Sequence, residues 1–388
     1  MTDYRVIVIG MDGIGSAAAY RAARRAGKAV LGIEQFPLGH PNGGSEDHSR
    51  IIRLSHHTPG YVSLARAAYR AWSEVEMDSG QQLVIKTGGL DLAPGDAVIG
   101  LDSYRDAMTV AGVAFEELDS TAVMSRWPQW QLEDDTTALF QPDAGIVMAS
   151  KANSAHRAMA KRYGARILEA TIVTSVEEIG GEVVVETTDG RFTAGSLIIA
   201  AGGWTNQTLA HLQVSFPLEV TQEQVVYLTP SANPSAFAAD RFPIWIWMTV
   251  PSFYGFPLFG EPAVKLSWDR CEIVTDVDNR SHVPRQDVID AVTAFATARL
   301  PDAAGDVHLS KTCLYTLTPD RDFIVDRVPG TENVYMAVGA GHAFKFASLL
   351  GSILVELAID GETEQDISPF AADRAALTHP AAERNYLI

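Results

Sequence analysis

The stretch Tyr4 to Glu34, YRVIVIGMDGIGSAAAYRAARRAGKAVLGIE, limits what this chain can fold into more than any other. Arg5 to Ile9 is a short apolar, β-branched run, Gly10 to Gly15 is a glycine-rich turn, and Ser16 to Ala26 is alanine-rich and helix-favouring. Ala29 to Ile33 is a second apolar run ending at Glu34. Strand, turn, helix and strand make a βαβ unit, with an acid about 20 positions past the last glycine, where a nucleotide ribose needs an acceptor. One position departs from G-x-G-x-x-G: the middle glycine is Asp12, and the spare glycine is Gly13. A carboxylate beside a pyrophosphate adds bulk and like charge, so Asp12 should turn outward or be screened by a water or cation. Taken alone, the turn also reads as an ordinary βα connection.

At 388 residues the chain exceeds one ordinary core and suggests two domains or one large interleaved α/β enzyme. Its net charge of −18 argues against a nucleic-acid partner and against a polybasic membrane surface. A small anionic substrate is still allowed, because a few arginines can reverse the potential inside a pocket. Two cysteines, Cys271 and Cys313, make no disulfide framework, and the expected home is a reducing cytoplasm. No signal peptide and no uninterrupted membrane span is expected.

After Glu34, a turn-rich loop leads to S-R-I-I-R, where Arg50 and Arg53 share one face if Asp47 to Ser55 is helical. Tyr61 to Asp78 and Asp96 to Val113 read as helices, and Leu83 to Leu92 reads as two short strands around Gly88 and Gly89. Leu197 to Trp204, LIIAAGGW, is an apolar strand ending in small residues, suited to close backbone approach to a ligand. Phe242 to Leu266 is strand-rich and aromatic, with Trp245, Trp247, Tyr254 and one lysine, Lys265. Such a sheet suits a small organic ligand over a flat cofactor, or is simply a sheet core. Lys311 to Asp326 reads as a strand pair, and Val334 to Val338 as a strand before a second glycine turn, GAGHAFK, and a helix.

These residues together carry a resemblance. V-I-G with Glu34, S-R-I-I-R, Y-G-F-P at 254 to 257, Lys265, C-L-Y at 313 to 315 and G-H-A-F-K-F at 341 to 346 resemble the monomeric sarcosine oxidase and N-methyltryptophan oxidase family, in order over almost the whole chain. The resemblance implies a glutathione-reductase-like FAD-binding Rossmann domain (1–80, 146–215 and 306–388) interleaved with a β-sheet-rich substrate domain (81–145 and 216–305). It implies FAD held covalently through Cys313, a monomer, and oxidation of an N-substituted amino acid with O2 as acceptor, giving an imine and H2O2. Arg53 and Lys345 would hold the substrate carboxylate. Lys265 would assist reaction with oxygen, Arg50 would sit near the flavin, and His342 and Tyr254 would line the site. Cofactor contacts are implied at Gly10, Gly13, Ile14, Gly15, Glu34, Gln35, Ser45, Ser49, Arg50, Val173, Ala201, Gly202 and Trp204. Near the C-terminus they are implied at Cys313, Gly339, Gly341, His342, Phe344 and Lys345, with Tyr315 beside the cysteine. No role requires a metal.

Asp12, Glu46 and Asp269 depart from the family pattern, the last two standing where the family carries histidines. Asp269 suits a cationic or hydroxylated part of the substrate, and the tryptophans suggest a bulkier lining than sarcosine needs. Alternatives remain at this stage: a flavin- or nicotinamide-dependent amino or imino acid dehydrogenase with another acceptor, or a non-catalytic binding protein.

Overall fold

The β-branched run after Tyr4 is apolar without alternation because the strand it forms is covered on both faces. Tyr4–Ile9 (β1) is buried from Val6 to Ile9. The computed structural model describes residues 2–269 and 273–379, so Cys271 lies outside the described residues. The glycine turn carries β1 into helix Gly13–Ala26 (α1), and the chain returns as Val30–Ile33 (β2), parallel to β1. The alanines of α1 have a packing reason. A Cβ on Gly351, in helix Ala347–Asp360, would lie 2.6 Å from the Ala18 nitrogen, so small residues let the two backbones touch.

β1 and β2 sit inside a sheet of eight strands. Gly190–Ile199 and then Val334–Val338 extend it in parallel beyond β1, and Arg166–Leu168 does so beyond β2. Among the described residues a second sheet has nine strands and is mainly antiparallel, with Glu219–Leu228, Val264–Asp269, Ser252–Leu258 and Ile244–Trp247 side by side. Arg50–Ile52 (β3) belongs to a third sheet of three strands with Gly145–Val147 and Val84–Lys86. Helix Pro59–Ser79 (α2) is capped by the Thr58 side chain and closed by Gly80 in the left-handed region at φ 68°. Among the described residues no helix is long and apolar enough to cross a membrane.

Three local expectations change. S-R-I-I-R is not helical: Ile51 and Ile52 are β-branched and find partners in Ile146 and Gly145, so tertiary pairing selects a strand. The helix expected over Asp96 to Val113 is only Asp102–Val110, ended by Gly112 at φ 62°. Lys311 to Asp326 is not a strand pair. Val307–Leu317 pairs with Glu219–Leu228 in the second sheet, while Ile324–Arg327 pairs with Val334–Val338 in the first. The turn between them carries the chain from one sheet to the other.

Candidate active site

A cavity of about 650 Å³ opens beyond the carboxyl ends of β1, β2 and Gly190–Ile199 and is roofed by the second sheet. Ile9, Gly10, Glu34 and Ala201 line one side of it, and Ile246, Tyr254, Lys265 and Cys313 line the other.

The end beside α1 is built largely from backbone. Gly10 has φ 88°, and a Cβ on it would lie 2.4 Å from the Ala200 oxygen. Gly15 faces away from the cavity: a Cβ there would meet the Gly10 carbonyl at 1.9 Å, so this glycine lets α1 start against β1. The Glu34 carboxylate accepts from the Met11 N–H at 2.8 Å and the Phe36 N–H at 3.1 Å, leaving lone pairs for a ribose. Burial alone would raise its pKa, but His40 and those two N–H groups hold it below the usual value.

Asp12 does not turn outward. Its carboxylate lies against the loop after β2, 3.8 Å from His40 Nε2 and 4.0 Å from Arg157 Nη1. Burial, opposed by His40 and reinforced by Glu34 and Glu46, drives its carboxyl up to about 7. Glu46 is directed at helix Ala149–Arg162, accepting from Asn153 Nδ2 at 3.1 Å and Arg157 Nη2 at 3.4 Å.

In the middle of the cavity, Cys313 lines the wall from strand Val307–Leu317. Burial lifts its thiol to about 11, with Arg50 opposing. Lys265 forms an ion pair with Asp47 at 2.6 Å and donates to the Ser49 carbonyl at 3.0 Å. Ser49 is therefore a support behind the cations and not a cavity residue, since its carbonyl also accepts from Arg50 Nη1 at 2.8 Å. Burial and Arg50 pull Lys265 down to about 8 while Asp47 pulls it back up. Asp47 also receives Lys311 at 3.3 Å and the Tyr227 hydroxyl at 2.8 Å. Burial would raise its carboxyl, but Lys265, Arg50 and Lys311 together hold it far below the usual range. Sequence reasoning missed this hub. Its signal was an acid immediately before H-S-R, read there only as the start of a helix.

At the far end, Arg53 is 2% exposed and ion-pairs with Asp91, which also accepts from the Ser55 hydroxyl. Lys345 is placed by its neighbours: Trp72 Nε1 on α2 donates to the Lys345 carbonyl at 2.8 Å, and Lys345 Nζ donates to the His342 carbonyl at 3.0 Å. Among the described residues Lys345 makes no ion pair, and burial, Arg53 and Arg321 push its pKa well below the ordinary lysine value. His342 gives its Nε2 proton to the Arg321 carbonyl at 2.8 Å; burial and Lys345 keep the ring neutral.

Gly13, Ile14, Gln35, Ser45, Val173, Gly202, Trp204, Tyr315, Gly339, Gly341 and Phe344 also line the cavity, so residues from across the sequence converge on it. Trp245 and Trp247 do not. They alternate with Ile246, which takes the cavity face. The two tryptophans turn to the other face of the sheet, where the Trp245 and Phe295 rings stack with centroids 5.4 Å apart. Trp268 packs on that face too. The cavity wall at this strand is less aromatic than expected.

Residues 5–357 match the family model described as FAD dependent oxidoreductase. The chain belongs to that family. The monomeric sarcosine oxidase of Bacillus sp. (strain B-0618) is 32% identical over 386 residues, covering 97% of each chain. N-methyl-L-tryptophan oxidase of Salmonella arizonae is 29% identical and covers 96% of this chain and 99% of its own. The open form of a point mutant of NikD, an unusual amino acid oxidase essential for nikkomycin biosynthesis, superposes with a TM-score of 0.84 at 25% identity, covering 96% of this chain and 97% of its own. The cavity suits the cofactor of an FAD-dependent oxidoreductase. It offers backbone N–H groups at α1, a fixed acid for the ribose, and walls that run on from Gly10 to residues as far along the chain as Lys345.

Proposed function

We propose that the chain is an FAD-dependent oxidase of N-substituted α-amino acids, with O2 as acceptor and H2O2 as product. The observation that carries the reading is Lys345: a buried amine on the cavity wall that makes no ion pair among the described residues, beside Arg53. A substrate carboxylate would supply the missing charge, gripped by a guanidinium fork and a point charge. The sarcosine and N-methyl-L-tryptophan oxidases to which the chain is similar favour an N-methyl amino acid.

Gly10, Gly13, Glu34, Ala201 and Gly202 would hold the nucleotide half of FAD, with Cys313 as its covalent attachment point. Gly339 to Phe344 would lie along the other half. FAD supplies the acceptor for the electron pair and proton of a C–H bond beside nitrogen. The protein positions that bond through Arg53 and Lys345, and Tyr254, Ile246 and Phe256 exclude bulk water. Lys265 presents a cation where oxygen takes up charge. The interleaved two-domain division and a cytoplasmic monomer belong to the same proposal.

A peroxide-coupled screen of N-methyl amino acids tests the reaction: peroxide from none of them, with the protein fully loaded with flavin, removes it. Protein that stays yellow after acid precipitation supports the Cys313 link, and colour released to the supernatant removes that part alone.

A further inference from the structure

Asp269 ends strand Val264–Asp269, opposite Ser252. Strand alternation puts it on the same face as Lys265, so both line the cavity while Leu266 and Trp268 between them do not. Its side chain is 8% exposed. A buried carboxylate needs a partner, and Arg321 supplies one, with Nη1 3.2 Å from Oδ2. Arg321 reaches it from the turn that joins the two sheets, at φ 61°, and its Nε and Nη2 find no other acceptor among the described residues. The same residues offer Oδ1 no hydrogen bond, so this oxygen is left to whatever enters the cavity.

The other carboxylates that line the cavity are already engaged, Asp47 by Lys265 and Lys311, and Asp12, Glu34 and Glu46 by His40 and Arg157. Arg53 is balanced by Asp91, Lys345 makes no ion pair among the described residues and feels Asp269 only from a distance, and the Tyr254 and Tyr315 phenols, raised first by burial, stay protonated. The inner end thus has a positive wall and a single carboxylate facing it.

We propose that Asp269 is the anionic pole for the substrate's protonated nitrogen, so that the site takes an amino acid as its zwitterion, carboxylate on Lys345 and Arg53, ammonium on Asp269. The inference rests on the amino-acid reading above for the identity of the ligand. Arg321 is the positioning residue: it fixes the carboxylate and prevents its withdrawal. A carboxylate of the same shape without the cationic nitrogen gains only half of these contacts, and a dicarboxylate meets repulsion at Asp269.

The test titrates the flavin-loaded protein with betaine and with 3,3-dimethylbutanoate, followed by flavin absorbance and calorimetry. The two molecules share one shape and one carboxylate and differ by the cationic nitrogen; neither has the N-substituted amine lone pair that oxidation needs. Betaine is expected to bind the wild type about ten-fold tighter or more, a ratio worth one coulombic contact between its quaternary nitrogen, which has no N–H, and Asp269. Asp269→Asn is expected to bring the ratio close to one. Asp269→Asn alone strands Arg321, so the Asp269→Asn/Arg321→Met double variant, which removes both charges, is measured beside it and should lose the preference equally. Equal affinities in the wild type, or a preference that survives Asp269→Asn, overturn the proposal. So does a preference restored in the double variant, which would trace the effect to repulsion by Arg321. Turnover is scored separately: a charge preference that depends on Asp269 in a protein that oxidises no N-methyl amino acid sinks the reaction and leaves the pole standing.

Discussion

The two ends of the cavity are made of different materials. Beside α1 the walls are main chain, and the residues that shape them, Gly10 to Glu34, are neighbours in sequence. At the other end the walls are charged side chains from positions as far apart as 53, 265, 269 and 345. Charge is distributed differently as well. The nucleotide end gathers Asp12, Glu34 and Glu46 around His40 and Arg157, while the far end gathers Arg53, Lys345 and Arg321 around Asp91 and Asp269. A backbone-built site tolerates unusual side chains as long as the turn survives. A site built from buried charges depends on each partner, because removing one leaves the other exposed to the full cost of burial.

That contrast can be broken most directly at Arg53. Arg53→Ala is expected to lower kcat/KM by about 10³ and stability by about 3–5 kcal/mol, since it strands Asp91. Denaturant melts and steady-state kinetics read the two losses. An unchanged affinity for the best amino acid would remove Arg53 from the clamp. Lys345→Met should separate the same two quantities: kcat/KM falls by about 10², yet the melting midpoint holds or rises, because a buried amine that makes no ion pair among the described residues is exchanged for an apolar side chain of similar length. A fall in both would show that Lys345 has a structural partner.

Lys265→Met tests the middle of the cavity with a smaller effect, a slowing of the reaction with oxygen by about 10- to 100-fold while anaerobic flavin reduction by substrate is kept. Burial and Arg50 hold the Lys265 pKa at about 8, so the ammonium is lost as pH rises through that value. The wild-type oxygen step, measured by stopped flow, should slow above pH 8, and the variant should be slow and flat across that range. Equal slowing of both half-reactions contradicts the assignment.

The smallest effect belongs to the nucleotide end. The Asp12 carboxyl, raised by burial to about 7, keeps a proton in the native state that the unfolded chain has released at lower pH. The wild type therefore loses stability as pH rises from about 4 to about 7. Asp12→Asn cannot titrate, so the midpoint of flavin-free wild type should fall relative to that variant across the same window. Parallel curves would mean that the carboxyl titrates normally and the comparison of the two ends needs redrawing.

Much of the nucleotide end was legible because its determinants are local. Gly10, Gly15 and Glu34 are constrained by φ, by strand–helix contact and by spacing, all of which survive in one dimension. The same rules misread S-R-I-I-R, whose strand needs Ile146 as a partner nearly a hundred residues away. They also put Trp245 and Trp247 on the cavity wall when strand phase places Ile246 there, and phase within a sheet buried on both faces leaves no polar alternation to read. Asp47 and Arg321 escaped for a related reason: one acid and one arginine in loops signal nothing until the chain brings Lys265 and Asp269 against them.

By itself the sequence determined that a βαβ nucleotide unit forms at the start of this chain, because helix propensity, glycine geometry and the acid at its end act over a few residues. Only the tertiary structure decided which charges are paired and which is left for a ligand. Burial sets the cost of a charge, and burial and partners both depend on how the two large sheets meet.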